Sequence, residues 1–266
     1  MRIAFSGTAN SGKTTLLKSF LSAWPQYKTP PKTYRDLLVD EKFAHSSKST
    51  VMTQFSILDF MVKQMKEYTK DDKVVYDRCP LDNLVYTMWC YDKGIEGFDT
   101  DFVNMAAYMT RESMRDLDII FLLKYDDQIK IVDDGVRDTD VTYIKEIDAL
   151  FSAMYDQYAT NIQLDKFFPK DDSPALIELP TNGQERIDLI AEYIDVNGNL
   201  PGDDQSIFHP DNLTLLEKLV LQQKNALNTE QIERDLFNKF SITGKPTTNI
   251  EQEIKELAQA KNINKR

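Results

Sequence analysis

Apolar positions along the chain switch repeatedly between the period of a strand and the period of a helix. Arg2 to Ser6 is short, apolar and stopped by Gly7, as a buried strand would be. Lys13 to Ala23 then carries Leu16, Leu17, Phe20 and Leu21 at three- and four-residue steps, a helix face that Pro25 terminates. Thr50 to Tyr68 reads as a long helix through Met52, Phe55, Leu58, Met61, Val62 and Met65, with the methionines as core filling. Lys73 to Asp77 predicts a strand and Pro80 to Lys93 a helix. Asp118 to Leu123 is the clearest buried strand; Ala175 to Leu179 is a shorter one, with a helix over Gln184 to Ile194. Thr33 to Leu38 gives no clear assignment.

This alternation predicts an α/β domain over residues 1–196, a parallel sheet covered by helices on both faces. From Asn197 the Asn/Gly/Pro/Asp text breaks every period, as a linker over 197–209 would. Residues 210–266 turn helical: Leu213, Leu216, Val220 and Leu227 form one stripe, Ile232, Leu236 and Phe240 another, and Thr248 with Glu251 spaces a capping box. A small C-terminal helical appendage is expected there.

Composition narrows the classes. At 266 residues with 41% hydrophobic and 28% charged residues, the chain can bury a full core. The net charge of −11 opposes binding to nucleic acid. Cys79 and Cys90 form neither a disulfide framework nor a zinc spacing. Neither a signal core nor a membrane-length apolar run is evident, so the expected location is the cytoplasm, the host's if the gene is viral, with no membrane partner. The oligomeric state stays open, a homo-oligomer included.

The strongest chemical signal is Gly7-Thr8-Ala9-Asn10-Ser11-Gly12-Lys13-Thr14, a G-x-x-x-x-G-K-T run between a predicted strand and a predicted helix. Its glycines let backbone N–H groups turn toward phosphate oxygens, and the helix starting at Lys13 adds the positive end of its dipole. The ATP-binding set is therefore Gly7, Asn10, Ser11, Gly12, Lys13, Thr14 and Thr15. Lys13 is expected to bridge the β- and γ-phosphates from a solvent-facing position, and the Thr14 hydroxyl to ligate Mg²⁺.

Asp77 closes the next strand and Arg78 follows it, at the carboxyl edge where open α/β sheets bind ligands. Asp77 suits a Mg²⁺ ligand or a general base, and Arg78 a phosphate contact; a helix cap and a surface ion pair are the plainer alternatives. Asp82 and Tyr86, four apart on the following helix, could line an acceptor pocket or a solvated face. The polar loop Asp133 to Asp140 has one cation, Arg137, suited to a lid over the phosphates or to a neutralised surface turn.

These segments resemble the P-loop nucleoside and nucleotide kinases, and within them the phage-encoded ATPase/kinase proteins grouped with the bacterial ribosylnicotinamide kinase domain. The resemblance rests on Gly7 to Thr15, on Asp77-Arg78 with Asp82 and Tyr86, and on Asp134 to Asp140, and it covers about residues 1–196. It implies a five-stranded parallel sheet, ATP with Mg²⁺ over the P-loop, and a small-molecule nucleoside or nucleotide acceptor beside it. Tyr34-Arg35 is similar to a substrate-side pair of the ribosylnicotinamide kinases, which makes Arg35 an acceptor contact. Gln54 falls on the helix where related kinases hold a base with an amide. The sequence departs from deoxynucleoside kinases in offering only Tyr34-Arg35-Asp36 where they carry a glutamate base. Three functions follow: a small-molecule kinase, a phage DNA-modifying kinase acting on a hydroxymethylated base, and an ATPase switch that works through the helical tail.

Overall fold

A computed structural model of the chain describes residues 1–41, 49–127, 139–160 and 166–200. Arg137 and the appendage over 210–266 lie outside the described residues, as do 201–209 of the expected linker.

Four strands, β1 (Arg2–Gly7), β2 (Val74–Asp77), β3 (Ile119–Leu123) and β4 (Ala175–Leu179), form one parallel sheet in the order β2-β1-β3-β4. The registers pair Arg2 with Val74, Ile3 with Ile119, and Ile119 with Ala175. Side chains alternate between two covered faces, so the strands read as nearly continuous apolar runs. Ala4, Val74, Tyr76, Ile120, Leu122 and Leu176 join one core cluster; Ile3, Phe5, Val75, Phe121 and Ile177 join the other.

The first face is covered by α3 (Val51–Met65), α4 (Pro80–Asp92), α5 (Thr100–Ser113) and α6 (Val141–Thr160). The second is covered by α1 (Lys13–Ala23) and α7 (Gly183–Tyr193), through Leu16, Phe20 and Ile190. A short helix, α2 (Tyr34–Glu41), leans on α3 through Leu38, Ile57 and Met61. No helix among the described residues is long and apolar enough to cross a membrane.

Three sequence expectations need correction. Five strands were expected from the resemblance, and the described residues form four. The chain beside β2 attempts a fifth: Lys28 makes one parallel bridge to Val74, its N–H donating to Lys73 and its carbonyl accepting from Val75. Pro30 and Pro31, which have no N–H to offer, stop the ladder there. Thr33 to Leu38, left unassigned, opens α2, with Asp36 accepting from both the N–H and the hydroxyl of Thr33. Helices α5 and α6 are both absent from the sequence reading; α5 begins where Asp99 accepts from the Phe102 N–H at 2.9 Å.

The chain at 195–200, entering the expected linker, is tied down. Asp195 accepts from the N–H groups of Asn197 and Asn199, and the Gly198 carbonyl accepts from the Tyr27 hydroxyl at 3.0 Å.

Candidate active site

The phosphate-loop sequence follows β1 directly and ends at the first turn of α1. A glycine is required at its first position: Gly7 has φ +134°, and a Cβ there would lie 2.3 Å from the Leu123 carbonyl oxygen of the neighbouring strand. Asn10 and Gly12 also have positive φ, at 58° and 89°, which bends the loop back on itself. Ser11 donates to the Thr8 carbonyl at 3.1 Å, and Thr8 donates to the Ile144 carbonyl of α6 at 3.1 Å. Thr15 is exposed at the N-terminus of α1, beside the positive end of the helix dipole.

Lys13 does not face solvent as expected. It is 4% exposed and turned back on its own loop, donating to the Gly7 carbonyl (2.8 Å), the Thr8 carbonyl and the Ser11 hydroxyl (3.0 Å). The loop curls its carbonyl oxygens within reach of the ammonium, and a buried cation takes the nearest acceptors. Burial first, and Arg78 next, lower its pKa well below the ordinary lysine value, with Asp82 and Asp77 opposing.

Asp77 ends β2 beside this loop. Its Oδ2 lies 3.4 Å from the Thr14 hydroxyl, which donates to it, and 3.5 Å from Arg35 Nη1; its Oδ1 is buried with no hydrogen-bond partner among the described residues. A buried carboxylate with a bare oxygen next to a loop hydroxyl supplies hard oxygen donors of the kind Mg²⁺ prefers. Thr14, Asp77 and Arg35 are thus brought to one point.

Arg78 adopts φ +82°, unusual for a non-glycine residue, and is 7% exposed. Its Nη1 donates to the Gly7 carbonyl (3.0 Å) and to Asp82 Oδ1 (2.7 Å), and its Nη2 to the Tyr86 hydroxyl (3.3 Å). The guanidinium lies between the Tyr34 and Tyr86 rings, 5.4 and 5.3 Å from their centres. Burial opposes its charge, but Tyr34, Tyr86, Asp82 and Asp77 more than offset this and hold its pKa well above the usual value.

Asp82 is turned inward. At 1% exposure, its Oδ2 accepts from the Ser6 hydroxyl (2.7 Å) and the Cys79 N–H (3.1 Å), and its Oδ1 from the Gly7 N–H (3.1 Å) as well as Arg78. One carboxylate therefore joins the start of the phosphate loop to the Asp77-Arg78 corner. Gln54 is also inside, with its amide donating to the Ser49 hydroxyl and accepting from Asn83 at 2.7 Å.

A narrow cleft opens on the same corner, with Asp77 and Arg78 in its lining alongside Pro30, Tyr34, Phe60, Met61 and Gln64. Gln64 stands ten residues after Gln54 on the same helix and donates to the Lys32 carbonyl at 2.7 Å. Sequence reasoning missed this amide and missed Arg186 as well. Arg186, 3% exposed in the first turn of α7, donates to the Ser11 carbonyl at 2.9 Å. No local pattern could have found a contact that spans 175 residues of chain.

A parallel sheet whose first strand runs into a glycine-rich loop and a helix N-terminus defines a nucleotide-binding P-loop domain. The family described as AAA domain matches residues 2–165, and the chain belongs to that family. No curated protein matches it. Among solved structures it is similar to a deoxyadenosine kinase from M. mycoides determined with the products dCMP and a flexible dCDP, at 17% identity and a TM-score of 0.48, covering 72% of this chain and 97% of that one.

Proposed function

We propose that the protein is a Mg²⁺-dependent phosphotransferase that moves the γ-phosphoryl of ATP onto a nucleoside- or nucleotide-type acceptor. Asp77 carries this reading: the same carboxylate approaches the phosphate-loop hydroxyl of Thr14 and lines the neighbouring cleft. A group shared by a phosphate cradle and a neighbouring cleft is placed for transfer between two bound molecules, whereas simple hydrolysis needs no second pocket.

In this reading the N–H groups of the loop and Thr15 gather the ATP phosphates, and Lys13 exchanges its loop carbonyls for phosphate oxygens. Thr14 and Asp77 would hold a Mg²⁺, whose charge would offset that of the phosphates. The alternative role for Asp77 is general base, taking the proton of an attacking acceptor hydroxyl as the new O–P bond forms and ADP leaves. Arg35, paired with Asp77, serves as the acceptor contact. Arg78 and Asp82 hold the corner in shape, Tyr86 braces Arg78, Gln54 supports the cleft from behind, and Arg137 belongs to a lid over the phosphates. Residues 1–196 form the catalytic unit, with 210–266 as an appendage.

The test is ATP consumption with Mg²⁺ over the common nucleosides, their monophosphates and nicotinamide riboside. Acceptor-dependent turnover with one class of these molecules supports the proposal. Phosphate release that no acceptor changes favours an ATPase switch, and turnover that needs hydroxymethylated DNA favours the DNA-modifying kinase.

A further inference from the structure

Three cationic side chains from different elements end on carbonyl oxygens of the phosphate loop. Lys13 donates to Gly7 and Thr8, Arg78 to Gly7, and Arg186 to Ser11. The third comes from α7, which packs against α1. Its Nε donates to the Pro180 carbonyl at 2.7 Å and its Nη1 to Ser11 at 2.9 Å, while its Nη2 is buried with no hydrogen-bond partner among the described residues. Burial lowers its pKa, with Asp126 opposing. Keeping a guanidinium there against desolvation is costly for a position that only fills space, since an apolar side chain would pack without that penalty.

The Ser11 carbonyl shares a peptide unit with the Gly12 N–H. In a planar trans peptide the two point in opposite directions, so fixing one fixes the other. Gly12, at φ +89° and ψ +11°, has no Cβ to resist rotation of this unit. Turned over, the same peptide would present a carbonyl oxygen to a phosphate in place of a donor.

We infer that Arg186 is a positioning residue for nucleotide binding, which holds the Ser11 carbonyl toward α7 and thereby aims the Gly12 N–H into the phosphate loop. The inference rests on the reading of this loop as the ATP phosphate site. It assigns the first turn of α7 a part in nucleotide affinity without any contact to the nucleotide.

The test uses the full chain, with ADP affinity by calorimetry and thermal unfolding measured on the wild type, Arg186→Gln and Arg186→Lys. Loss of one charge-assisted hydrogen bond predicts an ADP Kd about tenfold higher in Arg186→Gln. Lysine, which can reach one carbonyl but cannot span both, should recover only part of the loss. The acceptor KM should move by less than about twofold, because the cleft is not touched. A residue that only braces the fold would lower the unfolding midpoint and leave the ADP Kd of the folded protein unchanged, and that result overturns the inference. If Arg186→Gln does not fold, Arg186→Lys carries the same criterion. In the wild type, the Gly12 amide resonance should shift on ADP addition, and an unmoved resonance in a protein that binds ADP also overturns it. A wild type that binds no ADP would sink the phosphate-loop reading itself.

Discussion

Arg78, just before α4, and Asp82, in its first turn, meet at 2.7 Å, with side chains 5% and 1% exposed. The pair is not a surface ion pair of marginal value, because Asp82 also accepts from Ser6, Gly7 and Cys79. Asp82→Ala would leave the Arg78 charge buried and the donors of Ser6, Gly7 and Cys79 short of an acceptor. The expected cost is about 3–5 kcal/mol of stability, read from chemical denaturation. A loss below about 1 kcal/mol would mean that water replaces the carboxylate.

Asp77→Asn keeps the shape of the corner and removes its charge. Turnover should fall by at least about a hundredfold, the scale of a lost general base or misplaced metal, while the fold stays intact by circular dichroism. Partial recovery in excess Mn²⁺ assigns the loss to metal binding, and unchanged turnover leaves Asp77 as a pairing partner of Arg35 only.

Tyr76 gives a pH prediction. Its hydroxyl, buried under the sheet beside Tyr68, has no hydrogen-bond partner among the described residues, and burial raises its pKa well above the ordinary tyrosine value. Below about pH 10 both folded and unfolded states keep this proton, so the group contributes no slope. Above it the unfolded state alone loses the proton, and stability falls as pH rises. Tyr27, also raised by burial, adds to the same decline. Tyr76→Phe should gain up to about 1 kcal/mol at pH 8 by removing an unsatisfied polar group. It should also flatten part of the alkaline loss in denaturant midpoints compared at pH 8 and 10.5; midpoints that decline in parallel with the wild type would contradict the assignment.

Chain shortening separates the packed segment from the rest. Ending the chain after Leu200 keeps the Tyr27 contact to Gly198 and the apolar contact of Leu200, and should retain a soluble, active unit. Ending it after Ile194 removes the acceptors of Trp24 and Tyr27 and should lower the unfolding midpoint measurably. An inactive chain ending at Leu200 would give the region beyond it a part in the active unit.

The phosphate loop and all four described strands were legible because glycine spacing and continuous apolar runs are local signals. Helix α2 was legible in principle, since Thr33 with Asp36 is a cap spelled in four residues. Helix α5 was harder, because Ala106, Ala107, Asn104 and Thr110 dilute its apolar face although all four are buried. The fifth strand came from family likeness and ends at two prolines that the sequence displays. The poses of Lys13 and Asp82 depend on where loop carbonyls and amides point, and Arg186 on a contact between distant segments. None of these is written in a spacing. Gln64, like Gln54, sits on α3, and only packing decides that it meets the cleft.

The most direct measurement follows the γ-phosphoryl itself. ATP labelled at the γ-position is incubated with Mg²⁺, the wild type or Lys13→Ala, and the acceptor class found in the screen; label is then counted in acceptor and in free phosphate. The proposed transfer puts label in the acceptor with the wild type, and almost none anywhere with Lys13→Ala in a protein that remains folded, since the loop loses the cation that meets the transferring charge. Label that goes to water whether or not acceptor is present, or transfer that survives in Lys13→Ala, would contradict it.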